Sequence, residues 1–592
     1  MPPDHSARLT ALRSILAAAG VDGFLVPRSD EHLGEYVPPS GERLAWLTGF
    51  TGSAGMAAIL ADQAAIFTDG RYTTQVQAET DGGLFERRHV TEDPPEGWLR
   101  AQAQGRRIGY DPWLHSEVAL KRFTGVQLVP LSPNPIDAIW RDRPAPPVAA
   151  VVPHPLEHAG ATAEAKREAA AAELRRSGEA AAVLADAHSV AWLLNIRGAD
   201  LAHTPMALAT ALLRADGSVR MFLNAPERVS AETRAWLGNR VAVEPRSQIP
   251  AALQELSRQT VRIDPDLTPA WFAATLRAAG ATVTAGEDPC RLPRATKNPT
   301  EQQGARNAHA RDAVAVARFL AWFAAEAPMG GLTEMSAAER LLAFRREVPG
   351  FTGESFPAIS GAGENGAIVH YRVTEATDRP IAADECYLID SGGQFPDGTT
   401  DITRTLWSGP GPAPAGLRAR YTAVLRGHVA LGTLRFPEGV AGPHLDAVAR
   451  RPLWEAGLDY DHGTGHGVGS FLSVHEGPVA LSRAAKVVPI RAGMILSDEP
   501  GYYLPGQYGI RIENLLLARP AEPQPDQVRP FLEFETLTLA PYARALIEPA
   551  LLTPAELRWI DAYQARVLEE VGPHLDEAAR AWLAAECAPL EA

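Results

Sequence analysis

One pattern occurs twice in the first half of this 592-residue chain: a helix, a glycine, a short apolar strand and then a hairpin. The first copy covers residues 7–67 and the second covers residues 163–223. In both copies an Ala-Trp-Leu segment follows the strand, at Ala45–Leu47 and at Ala191–Leu193. A supersecondary unit that is repeated in the same order predicts two related α/β domains.

Two breaks in composition divide the chain. Arg141–Pro155 is rich in proline and is expected to be an extended linker. After a second break, Asn298-Pro299-Thr300-Glu301 predicts the start of a long helix, with a cap, a proline and an acid in the favoured positions. A chain of this length needs several hydrophobic cores. We therefore predict two α/β domains, a glycine- and strand-rich third domain and a C-terminal helical extension, at residues 1–145, 146–293, 294–545 and 546–592.

Charge and cysteine content restrict the partners and the compartment. The formal net charge of −15 argues against nucleic acid and anionic membranes, which both require basic surface. The three cysteines match no zinc or redox spacing, and such sparse thiols suit a reducing compartment. We find neither an apolar stretch of about 18 residues nor the basic and apolar regions of a secretory signal, so cytoplasm is the predicted location.

Two aspartates in the last third lie at the ends of predicted strands. Asp390 ends an apolar strand, and Asp401 opens the return strand after the glycine-rich segment 391–400, which is predicted to be a turn region. Carboxylates on neighbouring strands repel each other unless a cation lies between them. The pair therefore suggests a metal site, although a turn carboxylate and a solvated one would give the same pattern.

Three further residues of metal-ligand type follow. His466 lies in a segment with four glycines, where the backbone can approach a neighbour closely. Glu499 ends an apolar strand, and Glu513 follows an alternating one, although either could be a solvated charge on an edge strand. Four carboxylates and one imidazole suit two divalent cations, because they balance four positive charges, and two metals about 3.5–4 Å apart can activate water.

Taken together, in this order and at these spacings, the five residues resemble the site of the pita-bread metallopeptidase family. That site is Asp, Asp, His, Glu, Glu in chain order. Within the family the chain is most similar to the long, three-domain aminopeptidase P branch, through Trp46–Gly55, Thr68–Tyr72, Trp192–Gly198 and the tail after Thr553. The resemblance implies an α/β (α+β) fold class: two related creatinase-like domains followed by a pita-bread catalytic domain with a helical extension.

The resemblance also assigns roles to individual residues. The implied metal ligands are Asp390, Asp401, His466, Glu499 and Glu513. The implied catalytic residues are His370, His462, His475 and Glu499, and the implied substrate contacts are Arg71, His370, His475, Tyr503 and Arg511. His370 and Arg71 rest on the resemblance alone, and Arg71 could equally be a surface residue after an Asp-Gly turn.

The implied activity is hydrolysis of the N-terminal Xaa-Pro bond of peptides by a metal-bridging hydroxide. Glu499 would carry the proton, and His462 or His370 would help to stabilise the oxyanion. A ligand set of oxygens and one imidazole favours Mn²⁺, as the family does, and the family implies a homodimer. Two alternatives are proline dipeptidase, which uses the same site, and a non-catalytic binding protein with this fold, although loss of ligands usually marks that class.

Overall fold

The computed structural model describes residues 4–590, which divide into two compact units. The first unit runs to residue 155 and continues over residues 161–291, and the second consists of residues 156–160 and the chain from residue 292 onward. Among the described residues, none of the helices combines the length and the hydrophobicity that crossing a bilayer requires.

The first unit contains two six-stranded sheets. The strands and helices of its N-terminal half are β1 (Gly23–Pro27), β2 (Met56–Leu60), β3 (Ala64–Thr68), β4 (Glu86–His89), β5 (Arg107–Tyr110), β6 (Gln127–Pro130), α1 (His5–Ala18), α2 (Arg43–Thr48), α3 (Thr73–Glu79), α4 (Pro95–Gln102), α5 (Glu117–Lys121) and α6 (Pro135–Ile139). The sheet has the order β4-β3-β2-β1-β5-β6, in which only the β1–β2 and β2–β3 pairs are antiparallel.

The second half of this unit repeats the arrangement. Its elements are β7 (Val152–Pro153), β8 (Ala181–Leu184), β9 (Ile196–Arg197), β10 (Ala209–Arg214), β11 (Val219–Leu223), β12 (Val241–Pro245), β13 (Thr260–Ile263), β14 (Thr282–Ala285), α8 (Ala163–Arg176), α9 (Ala187–Leu194), α10 (Ala231–Leu237), α11 (Ile249–Gln254) and α12 (Ala270–Ala278). Its sheet order, β12-β11-β10-β8-β13-β14, has the same strand directions. The prediction of two related α/β domains is therefore confirmed.

Helices cover both faces of these sheets, which explains the apolar strands. In the first sheet, Phe24 of β1 packs in one cluster with Leu9 and Leu12 of α1. The next residue of the strand, Leu25, points to the opposite face and packs with Trp98 of α4. A strand that is buried on both faces needs apolar residues throughout, as Phe24-Leu25-Val26 has.

The second unit is built around smaller sheets. Its elements are α7 (Leu156–Ala159), α13 (Arg291–Ala295, across the boundary), α14 (Pro299–Glu326), α15 (Glu334–Arg346), α16 (Ala415–Gly432), α17 (Gly442–Glu455), α18 (Pro554–Val571), α19 (Glu577–Glu586), β15 (Gly353–Glu354), β16 (Ile359–Ala362), β17 (Cys386–Ser391), β18 (Gly393–Phe395), β19 (Gly398–Thr399), β20 (Ile402–Trp407), β21 (Arg435–Pro437), β22 (Gly465–His466), β23 (Ala480–Leu481), β24 (Ile495–Asp498), β25 (Gly501–Leu504), β26 (Tyr508–Arg511), β27 (Asn514–Pro520) and β28 (Phe531–Thr536). The four acidic candidates lie in or directly beside strands of two sheets, β16-β17-β20 and β21-β28-β27-β24.

The long helix α14 begins where the sequence predicts it. The side chain of Asn298 accepts hydrogen bonds from the Thr300 and Glu301 backbone N–H groups, and the Glu301 carboxylate accepts one from the Asn298 N–H. This reciprocal capping satisfies donors that the first turn of a helix leaves open. Thr553 and Glu556 form the same motif at the start of α18.

One expectation about this unit is wrong. The segment between Asp390 and Asp401 is not only a turn region, because β18 and β19 pair within it and β18 also pairs with β15. Gly393 and Gly398 lie within short strands whose close neighbours leave little room for larger side chains. These glycines therefore permit close packing of strands. A glycine-rich segment of this kind cannot be distinguished from a turn by its sequence alone.

Candidate metal centre

The two aspartates lie on neighbouring strands and are both buried. In the β17–β20 pair Asp390 is opposite Thr403, and Asp401 immediately precedes β20. The Oδ1 atom of each aspartate is buried without a hydrogen-bond partner among the described residues. Leaving a buried acceptor without a partner costs about 1–3 kcal/mol, and more when the group is charged. A bound cation would supply the missing interaction.

His466 faces two of these carboxylates. Its Nε2 atom lies 3.5 Å from Asp401 Oδ2 and 3.5 Å from Glu499 Oε1. Its Nδ1 atom donates to the Gly467 carbonyl oxygen at 3.0 Å, because that oxygen can only accept. Nδ1 therefore carries a hydrogen, and Nε2 is directed at the acids, so that it can ligate a metal once it has no proton.

Hydroxyl groups hold the two glutamates. Thr403 donates to Glu513 Oε2 at 2.7 Å, and Ser497 donates to Glu499 Oε1 at 3.2 Å. Glu513 is fully buried, and one ligand atom each from Asp401, His466 and Glu513 lies within 4.8 Å of the others. These three residues form a group that could hold a metal ion.

The electrostatics of the cluster require added positive charge. Burial, together with the charges of Asp390 and Glu499, raises the pKa of Asp401 to about 6. Burial and three neighbouring carboxylates raise the pKa of Glu513 well above its usual range. Burial alone would lower the pKa of His466, but its hydrogen bond to Asp401 and the acidic neighbours raise it to about 9. Without a cation, these buried carboxyl groups are difficult to ionise, and bound divalent cations would favour their charged form. The residues present therefore fit two such ions.

A chain of hydrogen bonds runs from Asp390 to His462. Arg511 donates to Asp390 Oδ2 at 2.7 Å and to the Tyr503 hydroxyl at 2.7 Å. Tyr503 in turn lies 2.9 Å from His462 Nε2, while His462 Nδ1 donates to Gly463 O at 2.8 Å. Nε2 is therefore the acceptor of the Tyr503 hydroxyl. Burial raises the pKa of Tyr503 to about 12, so it remains a donor.

The other candidates occupy different surroundings. The ring of His475 meets that of His466 nearly at a right angle, with centroids 4.3 Å apart. His370 is half-buried, and the carbonyl of its neighbour Val369 accepts from Arg511 at 3.3 Å. Arg71 belongs to the first unit, where it forms an ion pair with Asp69 at 2.7 Å.

Sequence reasoning missed Thr403 and Ser497, which orient two of the candidate ligands. Thr403 is two positions after Asp401, and Ser497 is two positions before Glu499. Strand alternation places such residues on the same face, so this signal was present in the sequence.

Family models match nearly the whole chain. The model for metallopeptidase family M24 matches residues 303–520, and the model for its C-terminal region matches residues 530–590. Two models of creatinase/prolidase N-terminal domains match residues 8–140 and 142–301.

Relatives that align with nearly the whole chain are named as Xaa-Pro aminopeptidases. A probable Xaa-Pro aminopeptidase P of Aspergillus fumigatus is 38% identical, with 98% of this chain and 92% of the relative aligned. Xaa-Pro aminopeptidase 2 of Sus scrofa is 36% identical, over 99% and 89%. Among solved structures, X-prolyl aminopeptidase of Caenorhabditis elegans, described as cytosolic with a di-nuclear active site, superposes with a TM-score of 0.94 at 32% identity, over 99% of this chain and 100% of that one.

Proposed function

Because this chain belongs to metallopeptidase family M24, and within it to the Xaa-Pro aminopeptidases, we propose that it removes the first residue from peptides whose second residue is proline. The observation that carries the proposal is the convergence of Asp401, His466 and Glu513 within a chain that matches such enzymes over its full length. The protein is a metal-dependent hydrolase, and its substrates are peptides.

We assign two divalent cations to Asp390, Asp401, His466, Glu499 and Glu513. The unpartnered Oδ1 atoms of both aspartates and the raised pKa values of Asp401 and Glu513 support this assignment. When bound, two such ions lower the pKa of a water molecule and stabilise negative charge on the substrate carbonyl oxygen. We propose Mn²⁺ because oxygen ligands with one imidazole suit it.

The protein side chains supply proton transfer and orientation. The nitrogen of the departing proline must gain a proton to leave as an amine, and Glu499 is the carboxylate proposed to deliver it. Ser497 holds one oxygen of Glu499, which keeps the group oriented towards His466. Tyr503 and the Gly463 carbonyl bond to the two ring nitrogens of His462, which fixes the orientation of the imidazole beside the site.

The remaining candidates are proposed to bind the peptide. His370 and His475 line the site as substrate contacts, and Arg71 is proposed as a contact from the N-terminal domain. Arg511 and Tyr503 bond to each other and to Asp390 and His462, so their contribution to substrate binding comes through the groups that they orient. An Xaa-Pro bond has no N–H, which removes the donor that peptidases commonly use and favours a pocket shaped for the ring.

The test is peptide hydrolysis by chelator-stripped protein titrated with Mn²⁺. We expect release of the first residue from Xaa-Pro-Yaa, with little from Xaa-Ala-Yaa and with activity that returns as Mn²⁺ is added. Cleavage confined to the dipeptide Xaa-Pro would contradict the assignment and indicate a proline dipeptidase. Absence of cleavage of all three peptides would contradict an enzymatic role.

Three further properties are proposed with the activity. The protein is a cytoplasmic homodimer, with its domains at residues 1–145, 146–293 and 294–545 and the helical extension at 546–592. Support for the dimer comes from the family resemblance, and a solution mass of twice 63.4 kDa by light scattering is the expected result. The apolar stripe of Leu557, Ile560 and Tyr563 packs within the same chain, so it does not by itself indicate a dimer surface.

A further inference from the structure

A buried arginine lies directly behind the proposed metal centre. Arg404 of β20 is 1% exposed, and the described residues place no carboxylate within ion-pair distance of it. It donates to five uncharged oxygens: Thr403 O at 2.9 Å, Pro541 O at 2.9 Å, Glu513 O at 2.7 Å, Asn514 Oδ1 at 2.8 Å and Ala540 O at 2.8 Å. A buried charge solvated only by such groups depends on all of them being in place.

These contacts connect the segments that carry two of the proposed ligands. Arg404 follows Asp401 by three residues, and its guanidinium binds the backbone carbonyl of Glu513 itself. It also binds residues 540 and 541, which precede the C-terminal helices. Hydrogen bonds from a charged donor are roughly twice as strong as neutral ones, so this group can fix the spacing of the three segments.

Helix α18 contributes the next residue of the network. The hydroxyl of Tyr563 receives hydrogen bonds from Arg404 Nη2 and from the Ala540 N–H, each at 3.3 Å, and lies 3.0 Å from the Thr538 and Ala540 carbonyls. Its ring stacks on Tyr542 with centroids 4.9 Å apart. The C-terminal extension therefore reaches the arginine that holds Glu513.

The same cluster reaches the segment that carries Glu499. The Tyr542 hydroxyl bonds to His428 Nε2 at 3.0 Å and accepts from Asn514 Nδ2 at 3.0 Å. His428 Nδ1 donates to the backbone carbonyl of Asp498 at 3.1 Å. Asp498 and Asn514, which are adjacent to the two ligand glutamates, are also paired across β24 and β27.

We propose that Arg404 and Tyr563 are positioning residues for the metal centre, through which helix α18 holds the Glu513 segment in the geometry that metal binding needs. The inference rests on the proposed function, since it acts on the same metal site. It makes the C-terminal extension part of the catalytic apparatus and not only a cover for the core.

The test is Tyr563→Phe, which removes the hydroxyl and keeps the stacked ring. The matched control is Tyr421→Phe, because the Tyr421 hydroxyl is equally buried and accepts from Ala543 N at 3.1 Å but does not bond to Arg404. The measurements are the Mn²⁺ dissociation constant of chelator-stripped protein by calorimetry, the Tm without metal, and kcat as Mn²⁺ is varied.

For Tyr563→Phe we expect the Mn²⁺ dissociation constant to rise about tenfold, since residues that orient ligands typically affect affinity by 10–100-fold. Turnover should fall at limiting Mn²⁺ and recover at saturating Mn²⁺. The control should lose a similar amount of Tm and retain its Mn²⁺ affinity. Arg404→Lys, which cannot form the same fork of hydrogen bonds, should weaken binding at least as much.

Equal Mn²⁺ affinity in wild type, Tyr563→Phe and Arg404→Lys would overturn the inference and leave the proposed function intact. A Tyr563→Phe effect no larger than that of Tyr421→Phe would show a structural role only and would also overturn it. Absence of Mn²⁺ binding by the wild type would overturn the proposed metal site, and this inference with it.

Discussion

At the residue scale, three of the five proposed ligands are oriented by a neighbouring hydrogen-bond donor. Arg511 binds one oxygen of Asp390, Thr403 one oxygen of Glu513, and Ser497 one oxygen of Glu499. Such donors fix the direction of a carboxylate without neutralising the whole cluster. The net negative charge that remains is the physical basis for expecting cations there.

Replacing Asp401 by Asn tests this arrangement. The amide keeps the shape of the side chain but loses the charge, so we expect turnover of Xaa-Pro-Yaa to be abolished and Mn²⁺ affinity to fall, while circular dichroism remains unchanged. Asp397→Asn is the matched control, because Asp397 lies in the β18–β19 hairpin that precedes Asp401 and forms a partly exposed ion pair with Arg311. An Asp401→Asn variant that works at the wild-type rate would contradict the ligand assignment.

His115 predicts an acid sensitivity in the first unit. Burial lowers its pKa from 6.5 to about 4. Between these two pH values His115 is protonated in the unfolded chain but neutral in the folded protein. Stability should therefore decrease as the pH falls from 6.5 towards 4, by about 3 kcal/mol in total, and should change no further from this group below pH 4.

The measurement for His115 is the difference in unfolding free energy between wild type and His115→Phe from pH 7 to pH 4.5. Phenylalanine keeps an aromatic ring beside Tyr110, which His115 meets edge-on at 5.9 Å. We expect the difference to move in favour of the variant as the pH falls. A difference that is constant over this range would show that His115 is protonated equally in both states.

At the scale of secondary-structure elements, close backbone packing around β22 positions His466. A side chain added at Gly465 would place its Cβ 2.0 Å from the Ser497 carbonyl oxygen, and one added at Gly467 would place it 2.2 Å from that of Glu476. Both distances are far below van der Waals contact. Gly465 therefore allows β22 to lie against β24, and Gly467 allows the chain after His466 to lie against the segment that follows His475.

Gly465→Ala should consequently displace His466, weaken Mn²⁺ binding and lower Tm, because the neighbouring atom is backbone and cannot move aside. Gly463→Ala is the control, since its Cβ would meet Ser482 Cβ at 3.3 Å, where a small adjustment suffices. We expect near-normal activity and Tm for the control. Similar behaviour of the two variants would contradict the packing argument.

The sequence predicts those elements whose signals are local. The helix caps at Asn298 and Thr553 and the two repeated hairpins follow from short motifs, and the structure contains them. The role of Arg404 could not be predicted, because three of its acceptors are backbone carbonyls more than 100 residues away in the chain and any residue type supplies a carbonyl.

The whole molecule concentrates its proposed chemistry in one of its two units. The five proposed metal ligands all belong to the second unit. The first unit contains two sheets with the same topology. Fold and family could be recognised from the sequence because the repeat and the order of the ligand residues extend over most of the chain. The chain as a whole carries a charge of −15, and an unneutralised acidic cluster adds repulsion in the second unit.

Metal binding should therefore stabilise the second unit. Ions that bind only the folded state add about 2.7 kcal/mol at a free concentration 100 times the dissociation constant. We expect Mn²⁺ to slow hydrogen–deuterium exchange in β17, β20 and β24, because Asp390 lies in β17, Asp401 precedes β20 and Glu499 follows β24. His466→Ala supplies the control, since removing the only imidazole of the set should abolish the added protection. Exchange rates in the wild type that are equal with and without Mn²⁺ would contradict the assignment of cations to these strands. Protection that is retained in His466→Ala would contradict the assignment of His466 as a ligand.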